Sequence, residues 1–255
     1  MKILTMKGMI AMRQIKPVLN QQMVKRLVMM CFGVFCMGFA VTIYNKTQFG
    51  TDPFTCMILG FSYHLPISFG VTQLTINILI ILAAFKFGRQ FIGVGTLINM
   101  TCVGFIADFT TFLYDKFLPD PETLPVRIAM FLAVMVLHSF GGSTFFTAAL
   151  GVGAYDVAGF VLNEKTKINY RWCRIGTDVF CTIVGFALGS TVGLGTVVTA
   201  FFMGPIIQFF TDFFSLPFLY GKETAREKIQ EEKLARQRMK EELAKKKEKR
   251  EKRTW

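Results

Sequence analysis

Gly93-Val-Gly-Thr-Leu-Ile-Asn-Met-Thr-Cys-Val-Gly104 returns one hundred residues later as Gly193-Leu-Gly-Thr-Val-Val-Thr-Ala-Phe-Phe-Met-Gly204. Each copy is a GxGT tetrad with a further glycine eight residues on. Upstream, Gly50-Thr-Asp-Pro-Phe54 aligns with Gly151-Val-Gly-Ala-Tyr155 at an offset of 101, without a gap through Ile67/Ile168 to Asn77/Asp178. Downstream, Phe109 meets Phe209. With one residue dropped between the two matches, self-similarity over so long a stretch marks two structural repeats.

The repeats lie in apolar sequence. Six runs are long enough for the roughly 20 residues that cross a bilayer as a helix: 27–44, 68–87, 92–114, 127–149, 171–189 and 194–219. None alternates with the period of a strand. Between them, 53–65 and 154–163 are semi-apolar stretches too short to span, and they read as re-entrant or interfacial half-helices. Each repeat thus holds three spans and one half-helix. An odd number of spans brings the second copy into the membrane from the opposite side, an inverted-topology repeat about an axis in the membrane plane. The expected fold is all-α: six transmembrane helices as two inverted three-helix repeats, each with a half-helix, plus a charged C-terminal helix. The divisions are a basic tail at 1–26, repeat one at 27–114, a linker at 115–126, repeat two at 127–220 and the charged tail at 221–255.

Composition points the same way. Of 255 residues, 52% are hydrophobic, 28 are Phe and only 18% are charged, against about 25% charged in soluble domains. Mean hydropathy is +0.44. The net charge of +12 resides in the two tails, because 27–220 carries nine basic and nine acidic residues. A nucleic-acid-binding domain would place its basic residues on a folded face; here they flank a neutral apolar body, which speaks against nucleic acid as a partner. Lys16, Lys25, Arg26, Lys86, Arg89, Lys165, Lys167, Arg171, Arg174 and the Lys-rich C-terminus all fall on one side of a six-span chain. By the positive-inside rule that side is the cytoplasm, with both termini in it. The localisation expected is the inner or plasma membrane, multi-pass. Anionic lipid head groups are candidate partners of the tails. Met9, Met12 and Met23 are alternative starts, so that 1–22 reads as an extension rather than a cleaved signal. The six cysteines form no CxxC pair and no zinc spacing, and read as small hydrophobes in packed helices.

In this arrangement, Gly50–Pro53, Ser68–Gly70, Gly93–Thr96 and Gly104–Asp108 resemble the YczE-like membrane proteins (the YczE/YyaS/YitT grouping). Gly151–Asp156, Arg174, Asp178, Gly193–Thr196 and Gly204-Pro205 carry the resemblance into the second half, over about 27–215 in all. Ala154 and Arg171 depart from the Pro and Gly expected there, and the charged tail is an addition. The resemblance implies a multi-span inner-membrane protein and no catalytic residues.

Ionisable residues inside spans are costly, by about 2.5–3.5 kcal/mol on insertion scales, and are functional candidates by default. Arg174 and Asp178 stand at i,i+4 on one helix face, and Asp156 opens the half-helix before them. Two readings stand side by side: a polar site for a small solute, faced by Gln73 and Asn77 from the other half, or an ion pair that fixes the half-helix to the span. Asp108 is a candidate ion or proton site, or a carboxylate at the outer interface. His138 reads as a hydrogen-bonded packing residue or a proton relay. Gly50, Gly93, Gly95, Gly151, Gly193 and Gly195 form tight turns that allow close packing, or present N–H groups to an anion. Gly141–Thr144 is a small-residue contact face or a helix break. There is no GxSxG, no HExxH and no paired carboxylate, so no catalytic group, metal site or cofactor is expected, and the chain reads as a non-enzyme. A small-solute transporter or permease-like protein is the leading expectation. The alternative is a non-transporting scaffold acting through its tail.

Overall fold

The computed structural model describes residues 21–166, 170–231 and 234. Expectations for 1–20, for Lys167 and for most of the C-terminal tail lie outside the described residues. The helices are α1 (Gln21–Thr47), α2 (Pro53–His64), α3 (Phe69–Gly88), α4 (Val94–Phe117), α5 (Leu124–Ala148), α6 (Ala154–Thr166), α7 (Tyr170–Ala187), α8 (Leu194–Phe210) and α9 (Leu216–Tyr220). A 3-10 turn, Arg89–Phe91, follows α3, and a π-turn, Thr211–Ser215, joins α8 to α9. No strand occurs among the described residues.

Five segments are long and apolar enough to cross a membrane: Gln22–Thr47, Phe69–Phe91, Val94–Phe117, Leu124–Ala148 and Leu194–Tyr220. The sixth expected span, 171–189, does form a helix, but Arg171, Arg174 and Asp178 keep α7 out of that apolar set. The two expected half-helices are α2 and α6, of 12 and 13 residues. At 1.5 Å per residue each reaches about 20 Å, short of a bilayer's roughly 30 Å apolar thickness. Leu79, Phe112, Phe186, Phe201 and Phe213 are all exposed on the long helices, the reverse of a water-soluble bundle.

Helices α1 and α5 pack side by side at the centre, and small residues allow it. A β-carbon at Gly33 would lie 2.6 Å from the Gly141 carbonyl oxygen, and one at Gly141 2.6 Å from Cys36 Cβ. Around this pair, α4 packs on α1 and α8 packs on α5. Thr42 seals the first contact, donating to the Ala107 carbonyl at 3.0 Å. The short helices cross over: α2 lies on α7, and α6 lies on α3. Apolar layers fill both ends, Met29, Met30, Val34, Val103, Phe145 and Leu219 at one, Ile43, Tyr44, Tyr114, Phe131 and Met135 at the other.

The paired glycine motifs meet each other reciprocally. Gly95 N–H donates to the Leu150 carbonyl at 2.8 Å, and Gly195 N–H donates to the Phe49 carbonyl at 2.8 Å. Gln48 and Ala149, at the 101-residue offset, both take left-handed backbone (φ 57° and 53°), and Gly50 and Gly151 both have positive φ (94° and 137°). Farther along the match fails. A β-carbon at Gly104 would stand 2.7 Å from Gly70 Cα, whereas one at Gly204 would meet nothing within 4 Å among the described residues. The position aligned with Gly70 is Arg171, so the glycine pair that joins α3 to α4 has no sequence counterpart in the second repeat.

The charged tail begins as a helix over 222–231. Its first turns are tied down at Tyr220: Arg26 donates to the Tyr220 hydroxyl at 2.7 Å and to the Ala148 carbonyl at 2.9 Å, and Lys228 Nζ stands 3.3 Å above the Tyr220 ring.

Candidate functional site

Helix α2 starts where it does because Asp52 is in extended conformation (φ −64°, ψ 155°), with Pro53 after it. Its carboxylate accepts the Thr55 N–H at 3.2 Å, an N-cap with proline at the first helical position. This sets Phe54 against Tyr155, its counterpart in the second repeat, with ring centroids 4.6 Å apart and 13° between the planes. Both rings sit in the first turn of their short helices, where α2 and α6 come together.

Tyr155 organises the charged residues. Its hydroxyl donates to Asp178 Oδ1 at 2.7 Å, and the Arg174 guanidinium lies 4.3 Å over its ring. Burial pushes the Tyr155 phenol well above its ordinary range, so it stays a proton donor to the carboxylate at neutral pH. Arg174 Nη1 is ion-paired with Asp156 Oδ1, and Arg174 Nε lies 3.4 Å from Asp178 Oδ1. The structure thus brings Asp156, Arg174 and Asp178 together. The two carboxylate side chains are only 16% and 19% exposed, while that of Arg174 is 35% exposed, so the cluster is open to one side. Behind Asp156 stands Asn99 of α4: a β-carbon at Gly153 would be 3.0 Å from Asp156 Oδ2 and 3.5 Å from Asn99 Oδ1.

Gln73 and Asn77 are buried on α3. Gln73 Oε1 lies against Gly104, 2.9 Å from where a β-carbon would stand, and accepts no hydrogen bond among the described residues. Asp108 is elsewhere. Its carboxylate accepts the Gly70 N–H at 2.9 Å, at the start of α3, where the helix dipole favours an anion. Its aligned partner Gln208 instead donates to Asp212 at 2.7 Å. Three of the glycine amides are taken up by protein acceptors: Gly95 and Gly195 by carbonyls, Gly93 by Thr96 Oγ1 at 3.1 Å.

Three polar residues lie outside the expected site, and of these Asp52, the cap of α2, is half-buried. Tyr44 is fully buried and His138 is 8% exposed. Their rings are 5.7 Å apart, and neither Tyr44 OH nor His138 Nδ1 has a hydrogen-bond partner among the described residues. The Asp-Pro pair was the available signal for Asp52. Among the described residues, no group of three His, Cys, Asp or Glu side chains stands close enough to hold a metal ion.

The chain is similar to the uncharacterized membrane protein YczE of Bacillus subtilis (strain 168), at 28% identity over 193 residues, covering 75% of this chain and 87% of that protein. It is also 26% identical over 186 residues to an uncharacterized protein of Haemophilus influenzae, covering 73% of this chain and 83% of the other. No solved structure matches it. The apolar helices and the first relative together make this a membrane protein, with its long helices in contact with a lipid bilayer. The model of DUF6198, a family of unknown function, matches residues 24–212, and the chain belongs to that family.

Proposed function

We propose that this protein is a small-solute transporter, permease-like, with its site where α2 and α6 meet α7. The observation that carries the reading is the Phe54–Tyr155 stack with Arg174 over it and Asp156 and Asp178 beside it. Aligned positions of two repeats face each other there, at the starts of two helices too short to span. That is the place where inverted-repeat transporters hold their solutes. The reciprocal Gly95–Leu150 and Gly195–Phe49 bonds support a two-fold relation between the halves. In this reading α7 is the sixth span, its charges facing the protein while Trp172, Val179, Phe180 and Ile183 face lipid. Both termini then lie in the cytoplasm of a plasma-membrane protein, where the basic tails meet anionic head groups. The chain performs no catalysis.

Alternating access would follow from rocking of one repeat against the other. The mismatch between the Gly70–Gly104 contact and the open flank of Gly204 supports two unequal states of the same interface. The scaffold alternative draws support from the tail, whose first turns are tied to Tyr220. A truncation separates the two. Deleting 232–255, beyond the Lys228 contact, spares ligand-dependent thermal stabilisation in a transporter and abolishes partner binding in a scaffold. Arg174→Leu with Asp178→Leu tests the site: a double variant that folds and keeps the solute response sinks it.

A further inference from the structure

Resting on that reading, we propose that the seam between α7 and α8 is the cytoplasmic entrance to the Asp156–Arg174–Asp178 cluster, and that α7 closes on α8 in the protein's other state as α3 closes on α4 in this one. The first argument is an asymmetry of packing. Each short helix is joined to a span of the other repeat, which makes two mixed pairs, α3 with α6 and α7 with α2. A β-carbon at Gly88 of α3 would lie 2.8 Å from Val157 Cγ1 of α6, and one at Gly185 of α7 2.7 Å from Cys56 Sγ of α2. The first pair is seated on a long helix: α3 packs along α4, and the Asp108 carboxylate of α4 accepts the Gly70 N–H at 2.9 Å. The second pair is not seated in this way. Among the described residues α7 makes no comparable contact with α8, and Gln208, the counterpart of Asp108, donates to Asp212 instead. Gly104 is buried against Gly70, whereas Gly204 is exposed.

The second argument is position. Gly70 and Asp108 meet at the start of α3 and in the half of α4 that leads into the 115–126 linker. In the six-span reading that linker is outside and the start of α7 is cytoplasmic. The sealed seam is therefore the outer one, and its open counterpart the cytoplasmic one. Gln73 lies on the face of α3 that meets α4, because its Oε1 is 2.9 Å from where a Gly104 β-carbon would stand. Arg174 is the aligned residue, so it occupies the corresponding face of α7, toward the open seam. It is also the most exposed of the three charged side chains. The third argument is what the sealed seam leaves unpaired. Gln73 Oε1 is buried there with no hydrogen-bond partner among the described residues. Such atoms are rare in a finished core, and separation of α3 from α4 would give this one to water. Packed helix interfaces switch between discrete arrangements, and a closed seam with an open mate supplies the two positions of one rocking unit.

The test uses full-length protein in membrane vesicles of both orientations, with a membrane-impermeant maleimide. Peptide mass spectrometry reads the labelled position, so the native cysteines stay in place. Gly204→Cys should label from the cytoplasmic face. Phe202→Cys is the control: Phe202 is exposed on the opposite side of α8, which faces lipid in this reading. Because the reactive thiolate needs water, Gly204→Cys should label about tenfold or more faster than Phe202→Cys. No labelling at Gly204→Cys, equal rates at the two positions, or labelling from the outer face alone overturns the proposal. Gly104→Ala places a β-carbon 2.7 Å from Gly70 Cα and so pushes α3 off α4. It should slow the labelling of Gly204→Cys and open Gln73→Cys to reagent from the outer face. An unchanged rate at Gly204→Cys overturns the closing of α7. Should Gly104→Ala fail to fold, Arg171→Cys with Gly204→Cys replaces it. Oxidation should then trap a disulfide within one chain; a disulfide between two copies, or none, overturns the proposal. The transporter reading fails separately. If Gly104→Ala closes the seam at Gly204→Cys while Gln73→Cys stays sealed, the gate stands and alternating access does not.

Discussion

Replacing Gly93 or Gly193 with alanine probes the contact that ties the two repeats together. Both residues sit in extended backbone before a helix (φ −143° and −147°), a conformation open to alanine, so any cost comes from space alone. A β-carbon at Gly93 would lie 2.2 Å from the Leu150 carbonyl oxygen, and one at Gly193 2.5 Å from that of Phe49. Ordinary contact begins near 3.4 Å, so loop and helix must separate by about 1 Å. That separation stretches the 2.8 Å bonds from Gly95 to Leu150 and from Gly195 to Phe49. Overpacking typically costs about 1–3 kcal/mol, and a buried polar group left without its partner about 1–3 kcal/mol more. Each substitution should therefore destabilise by roughly 2–6 kcal/mol. Gly204→Ala is the control, because its β-carbon would meet nothing within 4 Å among the described residues; a helical Gly→Ala change is worth at most about 1 kcal/mol in the opposite direction. Thermal unfolding of purified protein, read by loss of the monodisperse peak in size-exclusion chromatography, ranks the three. If Gly93→Ala and Gly193→Ala unfold at the same temperature as Gly204→Ala, the backbone contact is not as tight as described and the reasoning fails.

Three further outcomes are expected. Tyr155→Phe keeps the stack on Phe54 but loses the 2.7 Å bond to Asp178; it should cost about 1–2 kcal/mol in the same unfolding assay, and Tyr155→Ala distinctly more. Arg174→Leu leaves Asp156 and Asp178 without their counter-ion, so it should lower the unfolding temperature more than Arg174→Leu combined with Asp156→Asn and Asp178→Asn; the opposite order would mean that the guanidinium does not hold the carboxylates. Reporter fusions at residue 120 and at the C-terminus should report opposite sides of the membrane, with the C-terminus cytoplasmic; the same side for both contradicts six spans.

The order of the elements was legible in the chain because each depends on local rules. Apolar length fixed α1, α3, α4, α5 and α8 as membrane helices, and shortness set α2 and α6 apart from them. Asp52-Pro53 and Ser68 mark helix starts through capping, which involves only neighbours in sequence. The i,i+4 spacing was enough to bring Arg174 to Asp178. Asp156 was expected with them because it opens the half-helix just before that span.

What stayed hidden depends on which helices touch. Gln73 and Arg174 are aligned positions, yet Gln73 Oε1 lies against Gly104 on the α3–α4 contact, and Asn99 is the polar neighbour of Asp156 instead. Asp108 looked like a lone carboxylate in an apolar run because its partner is a backbone N–H 38 residues away, invisible in side-chain patterns. The sequence by itself determined the membrane body, its two-fold similarity and the short helices, because hydrophobic length and capping are properties of contiguous residues. The tertiary structure decided what surrounds the charged cluster, because the Phe54 stack on Tyr155 and the approach of Asn99 join helices that meet only on packing.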